Sequence, residues 1–399
     1  MLTGRRYRIG FTAEQAEYAE PVGDACRAVW NTGLEQRRAY RKRGAWINYQ
    51  EQARQLADAK REHQWLAQAP GHCLQQTLMD LDRACRDHGT WRVRWRSGRR
   101  WSPSFRFPEG GKIAVERLNR RWARVKLPKF GWVRVRWSRA LGGTIRPATV
   151  FRDGNKWYVS LLIEDGATTP QQHTHPAAAV GIDRGVAVAV ATSGGELLDG
   201  EFITPGEAER IRRLQRQLAR REKRSDRWKS TRKKLAALYA RVRAGRKDFG
   251  AQTAETLTTG NALIVLEDLK TRDMTRTARG TCTEPGRNVG QKAGLNRAIL
   301  DKGWYQFELA LQSKARYTGT RIVKIDPAYT SQTCNACQHA ASGSRESQAR
   351  FRCVACGHSD HPDVNAARNI LAAGLAVTGR GDFGGTRSVK RQPTTATVA

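Results

Sequence analysis

Two Cys-x-x-Cys pairs, Cys334 with Cys337 and Cys353 with Cys356, stand fifteen residues apart. Two thiolate pairs at that separation can close a tetrahedral zinc site of four sulfurs, with no position left open for chemistry. An ion so enclosed is structural, and Gly357 suits the tight turn after the second pair. His339, His358 and His361 lie close enough to replace a cysteine, but four cysteines already suffice. The other cysteines, Cys26, Cys73, Cys85 and Cys282, are scattered singly. That usage fits reduced thiols around one metal site, not a disulfide scaffold.

Behind the second pair the chain reads GHSDHPDVNAARNI, and a helix is expected from about Asp363 to Val377. Asp363 is not needed by the zinc. It follows Pro362 and can serve as a helix N-terminal charge. It also has two possible companions. Asp183 in VGIDRG and Glu267 in LIVLEDL each end an apolar run that reads as a strand. A carboxylate there is costly to bury unless it is paired or metal-bound. Three such groups from two strands and a helix can converge at a sheet edge and hold two Mg²⁺ ions for phosphodiester hydrolysis. Plainer readings stay open: Asp183 in a β-turn, Glu267 as a strand-end charge. Asp268 is an alternative ligand, although neighbouring strand residues point to opposite faces.

Lysine and arginine number 71 against 37 acids, a net charge of +34. That excess excludes an ordinary enzyme of small metabolites and points to a polyanion, nucleic acid first and an anionic membrane surface as the rival. No apolar run is long enough for a membrane span, and MLTGRRYRIGFT lacks a signal-peptide apolar region. The expectation is a soluble, intracellular protein with no membrane partner.

Along the chain, residues 1–11 carry one strand and 12–87 are helical, with Ala25, Val29, Trp30 and Leu34 on one stripe and Leu74, Leu78, Leu81 and Cys85 on another. Residues 88–165 read as a small β-barrel or sheet rich in tryptophan and arginine. In GWVRVRW, Trp132, Arg134 and Arg136 alternate with Val133, Val135 and Trp137, giving a half-buried strand with a cationic outer face. Trp95, Trp101, Trp132 and Trp137 suit either base stacking or a small core. Residues 166–178 read as a linker, and a new domain opens at 179, with two strands joined by a turn at Arg184-Gly185. Residues 207–248 read as a basic helical pair. From Arg210 to Asp248, seventeen residues are Lys or Arg and three are acidic. Arg213, Arg216, Arg220 and Lys233 are therefore candidate backbone contacts, as are Trp132, Arg134 and Arg136. The tail, 379–399, reads as disordered.

The order GIDRG, LEDL, DPAYTSQTCNAC, a second Cys-x-x-Cys and DVNAARNIL, with DKGWYQFELALQSKA and LPKFGWVRVRW, resembles TnpB. This is the OrfB-type family of insertion-sequence proteins, related to the type V CRISPR effectors. The resemblance covers nearly the whole chain. It implies an α+β multidomain fold: an RNase H-like (RuvC) nuclease domain over 179–327 and 361–378, with a zinc ribbon over 328–360 inserted before its third motif. It also implies a wedge β-barrel over 1–11 and 88–165, interrupted by a helical recognition domain over 12–87. Asp183, Glu267 and Asp363 match the three catalytic carboxylates, which hold two Mg²⁺ (or Mn²⁺) ions. The four cysteines match the zinc ligands.

By the same resemblance the expected function is RNA-guided cleavage of double-stranded DNA beside a short target-adjacent motif, by a monomer carrying one guide (omega) RNA. A weakly active RNA-guided repressor and a compact type V CRISPR effector are the alternatives. Two departures are visible. The acid often found beside the third aspartate is displaced, giving Asp360-His361-Pro362-Asp363, and the helix motif reads DFGAQTAETL with Gly250 and Gln252. A strand-joining transposase would call for a dedicated nucleophile, for instance a tyrosine with a His-x-His metal pair, and His173-Thr174-His175 is the one such pair.

Overall fold

The computed structural model describes residues 1–98, 101–347 and 349–379. The chain parts into two compact units, Met1–Ala167 and Thr168 onward. In the first, β1 (Leu2–Gly10) leads through a capping box at Thr12 and Gln15 into α1 (Ala13–Lys42). Then follow α2 (Tyr49–Glu62), α3 (Gln64–Gln68), α4 (Gly71–His88), β2 (Ser104–Phe107), β3 (Ala114–Arg117), β4 (Trp122–Leu127), β5 (Gly131–Arg136), β6 (Thr144–Asp153) and β7 (Lys156–Glu164). Leu34, Leu74, Leu78 and Leu81 bury the helical stripes, and Arg37 on α1 pairs with Asp82 on α4 at 2.8 Å. The strands form one antiparallel sheet, β2-β6-β7-β1-β5-β4-β3. Its apolar face carries Tyr7, Ile9, Val133, Val135, Val159 and Leu161, in one core with the helices. In its hydrogen bonding this sheet is open: among the described residues no ladder joins the edge strands β2 and β3, so the barrel expected from the resemblance is not closed by backbone pairing. Gly154 (φ +60°) and Asn155 turn the β6–β7 hairpin, with glycine where a two-residue hairpin needs positive φ.

The second unit holds β8 (Ala179–Asp183), β9 (Val190–Thr192), β10 (Leu197–Leu198), α5 (Pro205–Arg220), α6 (Asp226–Gly260), β11 (Leu263–Glu267), α7 (Thr271–Met274), α8 (Val289–Lys302), α9 (Trp304–Thr318) and β12 (Arg321–Ile325). The short ribbon strands β13 (Phe351–Arg352) and β14 (Ser359–Asp360) and helix α10 (Pro362–Gly379) complete it. The five-stranded sheet runs β10-β9-β8-β11-β12, with β8, β11 and β12 parallel and β9 and β10 antiparallel. The turn expected at Arg184-Gly185 is a six-residue connection, 184–189. The basic helical pair is α5 and α6, with α6 running on to Gly260. Of the expected tail, only Gly379 is described, as the end of α10. The rest lies outside the described residues.

Strand alternation sorts the side chains. Val180, Ile182, Ile264 and Leu266 join Ala254, Leu257, Phe307 and Leu311 of α6 and α9. Val265 and Ile325 point the other way, against Ile370 of α10. Helix α10 lies on the sheet with backbone contact at Gly181, where an added Cβ would stand 2.1 Å from the Ala367 carbonyl oxygen and 2.6 Å from the Leu371 nitrogen. Gly181→Ala should therefore lower stability by about 3 kcal/mol, because backbone cannot yield as a side-chain tip can. Denaturant unfolding of the purified chain checks this; an unchanged midpoint would show that α10 is free to lift.

Candidate active site

The alternation that buries Val265 against α10 also sends Asp183 and Glu267 to that face, at the ends of neighbouring parallel strands. The β8–β11 register pairs Ile182 with Leu266, one residue before the two acids. Asp363 enters from above, in the first turn of α10, and a Cβ on Gly185 would lie 3.2 Å from its Oδ2. Glu267 and Asp363 are buried, and Asp183 is half-buried. Asp183 feels the charges of the other two. Burial, then the charges of Glu267 and Asp363, push the Asp183 carboxyl up to about 7, against a smaller pull from Arg345 and the Arg184 backbone. Burial also raises Glu267, offset by the Thr330 hydroxyl and Arg184. A buried Asp183 carboxyl raised by two neighbouring acids suits a divalent-cation site, since a cation would supply it with countercharge. Asp268 points to the other face, 3.5 Å from Lys324, and does not join them.

Two side chains from the ribbon segment hold these acids. Thr330 Oγ1 donates to Glu267 Oε1 at 2.5 Å, and Arg345 Nη2 donates to Asp363 Oδ1 at 3.2 Å. The sequence reading missed both, and neither residue type carries a signal at that position. Asn365 and Asn369, one turn apart on α10, both donate to the Thr333 carbonyl, at 2.8 and 2.6 Å, and Asn365 Oδ1 accepts from Asn335 N. The repeated asparagine in DVNAARNIL was the available clue. Asp360, the displaced acid, accepts from Arg368 at 2.7 Å.

Cys334, Cys337, Cys353 and Cys356 place their sulfurs within 4.8 Å of one another. The Cys334–Cys356 and Cys337–Cys353 separations are 3.8 and 3.6 Å. A tetrahedron with Zn–S bonds of about 2.3 Å has edges of about 3.8 Å, so these separations suit one zinc ion. The two knuckles match: Cys334 N donates to His339 O, and Cys353 N to His358 O. Gln338 (φ +62°) and Gly357 (φ +73°) occupy the same left-handed position. No histidine joins the cluster.

His173 Nε2 sits 2.8 Å from the Thr258 carbonyl, and its Nδ1 accepts from His175 N. Both ring nitrogens are occupied by backbone, so the His-x-His segment is not a metal pair. Arg213, Arg216, Arg220 and Lys233 are exposed on α5 and α6, over a seam closed by Ile211, Leu214 and Val242. Trp132, Arg134 and Arg136 share the outer face of the first unit's sheet. There Arg124 lies 4.5 Å from the Trp132 ring centre, and Arg134 lies 4.0 Å from that of Trp122. Trp132 is thus already engaged by a guanidinium. Trp95 is exposed, and Trp137 stacks on Tyr7 at 5.2 Å. Among the described residues no helix is long and apolar enough to cross a membrane.

Residues 160–278 match the OrfB/IS605 family model, described as a probable transposase, and residues 304–370 match a Cas12f1-like TNB domain. A helix-turn-helix model matches residues 1–45, which here form β1 and one 30-residue helix. The chain is 38% identical to the putative RNA-guided DNA endonuclease InsQ of Escherichia coli (strain K12), over 93% of this chain and 92% of that one. It is 30% identical to a putative RNA-guided DNA endonuclease of Streptomyces pristinaespiralis, over 98% and 96%. Its fold is similar to that of a Cas12f1–sgRNA–target DNA complex structure, with a TM-score of 0.57 at 14% identity over 91% of this chain and 83% of that one. The chain belongs to the TnpB (OrfB-type) family of insertion-sequence proteins.

Proposed function

We propose that this chain is an RNA-guided DNA endonuclease that hydrolyses phosphodiesters of double-stranded DNA beside a short target-adjacent motif. The observation that carries the reading is the convergence of Asp183, Glu267 and Asp363 on one face of the mixed sheet, with Asp183 raised to about 7 by burial and its two neighbours. The mixed five-stranded sheet, with β8, β11 and β12 parallel and β9 and β10 added as an antiparallel meander, supports an RNase H-like nuclease domain. Two Mg²⁺ ions held by these carboxylates would supply Lewis-acid activation of water and countercharge to the phosphate. The chain's own residues prepare the site. Thr330 orients Glu267, Arg345 orients Asp363, and the loop after Asp183 is pinned by Trp304 Nε1 on the Gly185 carbonyl at 3.1 Å.

The relatives' names supply the guide RNA and the DNA target in this reading. The exposed basic faces of α5 and α6 suit an RNA–DNA heteroduplex, which is read by shape and backbone. The Arg–Trp lattice over Trp122, Arg124, Trp132 and Arg134 suits phosphate contact more than base stacking, because its indoles already face guanidinium groups.

The test is to express the protein with its native flanking DNA, purify the complex, and supply Mg²⁺ and plasmids carrying the guide-matched target beside a randomised motif. Cuts next to an enriched motif are expected, with 3′-hydroxyl and 5′-phosphate ends, and none with Asp183→Ala. Motif-dependent binding without cutting would replace this reading by that of a repressor.

A further inference from the structure

The opposite face of the sheet carries a second charged cluster, and it lies directly beneath the carboxylates. Alternation turns Arg184 away from Asp183, toward α9. Its side chain is 1% exposed. One guanidinium nitrogen, Nη1, donates to Glu308 Oε2 at 3.1 Å, and the other, Nη2, donates to the main-chain carbonyl of Glu267. Glu308 is held in turn by Lys324 Nζ at 2.6 Å, from β12. Lys324 also faces Asp268. Two cations and two acids thus balance under the strand ends.

The bond to Glu267 is the informative one. The β8–β11 ladder stops at Ile182 and Leu266. Beyond it, two like-charged side chains stand on adjacent strand ends and repel each other. Arg184 crosses from the end of β8 to the carbonyl of the residue bearing one of those charges. A buried ion pair is a poor way to gain stability alone, since apolar residues of similar volume do as well or better. The planar fork of arginine gives what an apolar side chain or a lysine cannot: two bonds in fixed directions, one to the backbone and one to a carboxylate.

We propose that Arg184 is a positioning residue: through the Glu267 carbonyl, braced by Glu308 and Lys324, it fixes the spacing of Asp183 and Glu267 and thereby the site's affinity for divalent cations. This rests on the nuclease reading above. Outer partners that orient metal ligands typically contribute about 10- to 100-fold in affinity.

The test uses the zinc-loaded full-length chain without RNA, titrated with Mn²⁺ and read by the electron-spin resonance of the free ion. Arg184→Lys keeps the charge but loses the fork. Its Mn²⁺ dissociation constant should rise about 10-fold or more. The double variant R184M/E308Q, which leaves Lys324 to Asp268, should show the same rise. In the guide-loaded complex both variants should need more Mn²⁺ for half-maximal cleavage yet approach the wild-type rate at saturation, which a general loss of structure would not give. Wild-type Mn²⁺ affinity in either folded variant overturns the proposal, as does loss of cooperative unfolding in both, which would make Arg184 a fold residue. If wild type and Asp183→Asn bind Mn²⁺ equally, the metal reading of the carboxylates fails instead, whatever Arg184 does.

Discussion

Asp183→Asn should make the metal-free protein more stable at pH 8 than the wild type, while lowering cleavage of a guide-matched plasmid by about three orders of magnitude or more. The two effects have one cause. In the fold the Asp183 carboxyl is pushed up to about 7, against 3.8 for the free group, first by burial and then by the Glu267 and Asp363 charges. Between those values the folded chain binds a proton that the unfolded chain has released, so stability falls as pH rises through the window. The penalty is absent below pH 4 and complete above pH 7, where it is on the order of 4 kcal/mol. Asparagine stays neutral throughout and escapes it. The two stability curves should meet near pH 4 and separate toward pH 8, and Mg²⁺ should narrow the gap by stabilising only the wild type. Urea unfolding from pH 4 to 8, with and without Mg²⁺, reads this directly. Parallel curves would mean that the three acids do not share one field.

The parts of this site that were legible in the sequence are those resting on local pattern. The apolar runs ending in Asp183 and Glu267 announce strands, and period-two alternation puts both acids on the face of Gly181 and Val265. The cysteine spacing announces the four-sulfur cluster. What was not legible depends on distant partners. Arg184 reads as a turn residue beside Gly185, because its acceptor Glu308 lies 124 residues away on a helix whose charge looks superficial. Thr330 and Arg345 sit in polar stretches where any side chain would pass. Trp132 shows its alternation in sequence, but not that Arg124, from the neighbouring strand, already lies over its ring. Barrel closure is equally hidden, since it depends on whether β2 meets β3, and their short sequences say nothing of it.

Removing the zinc should sharply reduce cleavage through the carboxylates, although the four cysteines group with one another and not with the acids. A four-sulfur zinc site contributes about 10 kcal/mol or more to the order of its own segment. That segment carries Arg345, between the knuckles, which holds Asp363. It is seated on α10 by Asn365 and Asn369 through the Thr333 carbonyl, just before Cys334. Thr330, three residues earlier, holds Glu267. Cys356→Ser should therefore lose zinc, raise amide exchange across 334–358 and in the first turn of α10, and reduce cleavage by about two orders of magnitude or more, while the β8–β11 core keeps its protection. Asn365→Ala separates the seat from the metal: it should keep zinc yet reduce cleavage by about 10-fold or more, because the ribbon stays folded but no longer fixes Thr330 against Glu267. A zinc-free Cys356→Ser chain that cuts at the wild-type rate would show that the ribbon and the carboxylates are neighbours without being coupled.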